Sequence, residues 1–189
     1  MTGEAGYRAL EKGDLITAFN EFNSAEKSAS DDLERSRMMI NKGALLIAMG
    51  KYRMAVEELI RAKATLKALS SECSDKLLSV ACLNLAKAML ATGRAESAEA
   101  ELRCAEKISG SEDPHVMYVK ALVYFYRNDV QGLSSIDIDK MPEPYNKLVK
   151  VLVAEIEAKN GSSRAMANYE DALREAVPSS RLREAFGLV

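Results

Sequence analysis

The most restrictive feature of this sequence is a pattern that returns along its length. A helical run is followed by a turn marked with Gly or a polar residue. A second run then carries Ala and a large apolar residue at fixed offsets. The clear copies are Gly13-Asp14-Leu15 with Ala18, Phe22 and Ala25, then Gly50-Lys51-Tyr52 with Ala55, Leu59 and Ala62. They continue with Gly93-Arg94-Ala95 and Ala98, Leu102 and Ala105, and with Asn160-Gly161 and Ala165, Tyr169 and Ala172. A weaker copy opens at Asn128-Asp129-Val130, so the turns stand 37, 43, 35 and 32 residues apart. A period of this size describes helix pairs that bury their apolar faces only by stacking on one another.

Strand-forming character is scarce, with no Trp and aromatics at 6%. Local punctuation fits helices throughout. Gly13 and Gly50 fall where a left-handed C-cap needs no Cβ. Asp14 stands at the next N-cap, and Asp31 with Glu34 has capping-box spacing. Gly110 ends one helix and Asp113-Pro114 starts another, while Pro142 and Pro144 break the chain before Tyr145. The weakest helical stretch is 130–140, with Gly132, a Ser pair and alternating Ile and Asp. After Pro178, Ser179 is placed to cap a final helix, Arg181 to Phe186, that covers the end of the stack.

This layout resembles the tetratricopeptide repeat, a helix-turn-helix unit of about 34 residues. The family keeps small residues at its eighth and twentieth positions and large apolar ones at its eleventh and twenty-fourth. The eighth here reads Gly6, Gly43, Ala86, Ala121 and Val153, and the twentieth Ala18, Ala55, Ala98, Leu133 and Ala165. The eleventh reads Ala9, Leu46, Met89, Tyr124 and Ile156. Small residues serve where two helices approach with little space between their backbones. The usual aromatic of the fourth position is replaced by Met39, Cys82, Met117 and Val149. The resemblance implies an all-α, right-handed α-α superhelix forming one domain over 1–189. Its units would span approximately 3–29, 31–69, 75–109, 114–140 and 143–177, with a capping helix over 179–187.

Catalytic and cofactor chemistry finds little footing. His115, the one histidine, follows Pro114 in a helix first turn, where a surface or helix-start role is expected. Gly50-Lys51 is not a P-loop, because Leu45 stands where the first Gly would be. Asp137 and Asp139 lack the Gly and distal Glu of a calcium loop. Cys73, Cys82 and Cys104 have no CxxC spacing and read as free, mostly buried thiols. Glu57-Glu58 and Glu99-Ala100-Glu101 read as a solvated face. Met38, Met39, Met49 and Met54 read first as core filling, and second as an adaptable groove. The expectation is therefore a protein without enzymatic activity, cofactor or metal.

A net charge of −2 argues against a nucleic-acid partner. No apolar run is long enough for a membrane span, and Met1-Thr2-Gly3-Glu4 does not open a signal peptide. A cytoplasmic location is expected. Asn41 and Asn84 share the sixth position of consecutive units, on helices that line the concave face in the family. There the resemblance implies hydrogen bonds to a bound peptide, for which an amide both donates and accepts. Arg37, Ile40, Ala44, Leu83, Lys87, Tyr118 and Leu122 complete the candidate inner face. The family's clamp for chaperone carboxylates is absent, since Gly3, Tyr7, Val80 and Asn84 hold its places. The expected function is an adaptor or scaffold that holds a peptide or helix of a partner protein. The alternatives are a dedicated chaperone for one client and a module that self-assembles into a homo-oligomer.

Overall fold

The computed structural model describes residues 3–159, and every regular element among them is helical. The helices are α1 (Glu4–Glu11), α2 (Leu15–Lys27), α3 (Asp32–Ala48), α4 (Tyr52–Leu69) and α5 (Glu72–Ala91). They continue with α6 (Ala95–Ser109), α7 (Pro114–Tyr126), the short α8 (Val130–Ser134) and α9 (Tyr145–Lys159). Ala165, Tyr169, Ala172 and the expected capping helix lie outside the described residues.

Residue chemistry accounts for the boundaries. Gly13, Gly50 and Gly93 take φ of 75°, 72° and 76° after the first helix of each unit, and Asn128 takes φ 56° at the same place in unit four. Asp14 accepts from Thr17 N at 2.9 Å, and Asp113 accepts from the backbone N–H groups of His115 and Val116. Asp31 caps α3 through Glu34 N, but Glu34 reaches back to Ser30 N rather than to Asp31, so the expected box is shifted by one residue. Gly132 and the Ser pair leave α8 at five residues, followed by a 3-10 turn over Ile138–Lys140.

Each helix packs against the next in sequence as far as α8, and α9 packs against α7 and α8. The odd-numbered helices from α3 onward also touch one another in series, α3 on α5, α5 on α7 and α7 on α9. The even-numbered helices show no comparable backbone series among the described residues and are bridged instead by long side chains, Arg61 to Glu26 between α4 and α2 and Lys63 to Glu101 between α4 and α6. Axes that touch on one side and splay on the other bend the array. The result is an α-α superhelix with the odd helices inside and the even helices outside.

The first two pairs close around a bare stretch of backbone. A Cβ on Gly6 would fall 2.7 Å from the Phe22 ring, and one on Gly43 would fall 2.5 Å from Leu59 Cγ. Phe22 and Leu59 are themselves fully buried, as are Ala18, Ala55, Ala98, Ala86 and Ala121. Met38 and Met39 fill core space, whereas Met54 is exposed.

One ionic network lies inside this packing. Lys42 on α3 has a side chain only 6% exposed, and its Nζ donates to Glu26 of α2 and, at 2.8 Å, to Glu58 of α4. The exposed Arg61 closes the network on both acids, at 3.5 Å to Glu26 and 3.3 Å to Glu58. Glu58 is thus largely buried rather than part of a solvated face, and Glu101, paired with Lys63, is too. Glu57 does face solvent. Removing the central cation leaves two carboxylates facing each other with little water. Lys42→Ala is expected to cost about 3–5 kcal/mol in urea unfolding, against about 0–1 kcal/mol for Arg61→Ala at the exposed rim.

Candidate protein-binding face

Helices α3, α5, α7 and α9 lie side by side in series, and the candidate residues are distributed over the first three of them. Their depths differ sharply. Ile40, Asn41, Ala44, Leu83 and Asn84 are 0–1% exposed. Arg37 is exposed, and Lys87, Tyr118 and Leu122 are half-buried.

Asn41 and Asn84 therefore sit in the interior of the stack and offer no surface to a ligand. Asn41 Nδ2 donates to the Tyr7 hydroxyl at 2.8 Å, which ties α3 to α1. An amide on an inner helix fits that task as well as it fits a bound peptide, because it satisfies a polar neighbour that water cannot reach.

The accessible part of the face centres on unit four. His115 stacks on Tyr145 with ring centroids 5.6 Å apart at 23°, and Tyr118 meets the same Tyr145 at 5.9 Å. His115 stands at a helix start as expected, with its ring packed on Tyr145 and only partly exposed. Its Nε2 is buried and has no hydrogen-bond partner among the described residues. Burial, reinforced by the Lys87 charge, pushes its pKa well below the usual histidine range and keeps the ring neutral. Burial likewise pushes the Tyr118 phenol up to about 12, helped by Tyr126 and Tyr145.

Lys87 of α5 faces this aromatic group. Part of the residue reaches solvent, but the surrounding protein strips water from the ammonium and pulls its pKa down to about 7. The second position of unit four, His115, was readable as an inner-face place from the repeat phase. Tyr145 was not, because it precedes the first position of its unit.

Other chemistry-bearing groups are dispersed. Cys82 and Cys104 lie with Sγ atoms 3.2 Å apart between α5 and α6, and burial pushes the Cys82 thiol up. Cys73 is exposed, unlike the other two. No cluster of metal-ligating side chains occurs among the described residues, and none of their helices is long and apolar enough to cross a membrane.

No family model matches the chain, and no curated protein matches it. Among solved structures it is similar to a tetratricopeptide repeat protein from Parabacteroides merdae, at 16% identity and a TM-score of 0.43. That match covers 98% of this chain and 84% of the other.

The sign of the Lys87 effect on stability follows from its two pKa values. The unfolded lysine titrates near 10.4 and the folded one near 7, so between these values the unfolded chain holds more protons. Stability must then rise with pH across that window. Lys87→Met is expected to be more stable than the wild type at pH 6, with the difference shrinking steadily towards pH 10 in urea titrations. A pH-independent difference would show that the ammonium is not desolvated.

Proposed function

We propose that this chain is a non-enzymatic adaptor that holds a peptide or helix of a partner protein along its inner face. The observation that carries this reading is the continuous layer of odd helices with Tyr118, Tyr145 and Leu122 partly open on it. Lys87 stands beside this aromatic group, and Arg37 adds an exposed cation on α3. Aromatic side chains with a few polar anchors are the composition that concentrates binding energy in protein interfaces. Tyr and Leu supply contact area, while the cations fix orientation. Asn41 and Asn84 play no direct part, and their task is to hold the inner helices in place. A reading as a cytoplasmic protein accompanies this proposal and rests on the same class of function.

A photo-crosslinking amino acid at Leu122 tests the face, with the same group at Ile60 on α4, which is 50% exposed, as the control. Discrete protein adducts are expected from position 122 and none from position 60. Tyr118→Ala should reduce the adduct by about tenfold while leaving the helical circular dichroism spectrum intact. Adducts from position 60 alone would move the binding surface to the even helices.

A further inference from the structure

The turn that joins the first helix of a unit to its second shows a charge reversal confined to two units. In units one and four the N-cap residue is Asp14 or Asp129, and each accepts a backbone N–H of its own helix. In units two and three the same places hold Lys51 and Arg94, and neither makes a side-chain capping bond. Both units thus forgo a stabilising contact that their neighbours keep, and local rules are broken this way most often where a site is built.

Between these two turns lies a cleft of about 670 Å³, lined by Arg53, Val56, Glu57, Ala91, Thr92 and Arg94. It shares Arg53 and Thr92 with a hollow of about 360 Å³ that adds Lys51, Tyr52 and Met54. Lys51, Arg53 and Arg94 are exposed, and none forms an ion pair among the described residues. Arg94 is nonetheless held in place, since its Nε donates to Thr92 Oγ1 at 3.1 Å. The Thr92 hydroxyl is fixed in turn on the Ala88 and Met89 carbonyls. Glu57 and Glu96 are the nearby acids, and neither pairs with these cations. Met54 is 51% exposed and gives the hollow an apolar wall beside Tyr52.

We propose that this edge cleft is a second docking surface, separate from the inner face, that binds a short acidic segment of a partner protein. Carboxylates of the segment engage Arg53 and Arg94, and an apolar side chain enters beside Tyr52 and Met54. Charge complementarity selects this occupant. Two guanidinium groups from adjacent units suit carboxylates, which they bind in a planar, two-point manner, and Lys51 adds a third positive charge.

The probe is a fluorescein-labelled decapeptide of glutamate with one central phenylalanine, followed by anisotropy at low salt. The wild type is expected to bind it, and Arg53→Glu/Arg94→Glu should weaken binding roughly tenfold or more, as should raising the salt. Arg53→Gln/Arg94→Gln should give a smaller loss in the same direction, and Arg103→Glu on α6 should leave binding unchanged. Circular dichroism melting checks that each variant stays folded. A glutamine version of the peptide that binds equally well would make the contact apolar and overturn the proposal. Absence of binding to the wild type would overturn it too. So would a wild-type dimer, seen by sedimentation, that the charge reversal dissociates, because the occupant would then be a second copy. Loss of the Leu122 crosslink in the Arg53→Glu/Arg94→Glu variant would merge the two surfaces and end the claim of a second one.

Discussion

The first two helix pairs, from which the array starts, depend on one steric constraint, the contact of a bare α-carbon with a large side chain of the paired helix. Gly6 lies against Phe22 and Gly43 against Leu59, with no room for a methyl group at either place. A glycine in the middle of a helix costs about 1 kcal/mol relative to alanine. That cost is offset because it lets Leu59 fill the space between α3 and α4, and burying such a side chain contributes about 1.5–3 kcal/mol. At the corresponding places in α5 and α7 the small residues Ala86 and Ala121 are fully buried.

Charge follows from the same closeness. Lys42 precedes Gly43, so the tight approach of α3 to its neighbours carries the ammonium between Glu26 and Glu58. A lone ammonium there would be strongly unfavourable, and the two acids from flanking helices are what permit it. The arrangement also fixes which helices are neighbours, because Lys42 bridges α2 and α4 together. Lys87 is the contrasting case, where desolvation dominates and the pKa falls.

Much of this was legible in the chain itself. The Gly-marked turns, the small eighth positions and the Asp caps placed the helix pairs, and Gly132 with the Ser pair foretold the short α8. Asn128 taking the left-handed turn in place of Gly shows why the weaker copy still works. Depth was not legible. Repeat phase gives the direction in which a side chain leaves its own helix, but not how deeply it is covered. How closely neighbouring helices approach depends on both partners, and they leave Asn41 and Asn84 fully buried. The same blindness made Glu58 look solvated, because Lys42 and Glu26 lie on other helices. The packing of His115 was hidden because Tyr145, which stacks on it, is distant in sequence.

The steric constraint is tested most directly by a double-mutant cycle on Gly43 and Leu59, read as unfolding free energy in urea. In the wild-type background Gly43→Ala should destabilise by about 1–3 kcal/mol, since the new methyl collides with Leu59. In a Leu59→Ala background the same change should become neutral or stabilise by up to about 1 kcal/mol, as alanine's better helix propensity is released. That reversal of sign is what close pairing predicts. A Gly43→Ala substitution that stabilises the protein equally in both backgrounds would contradict it.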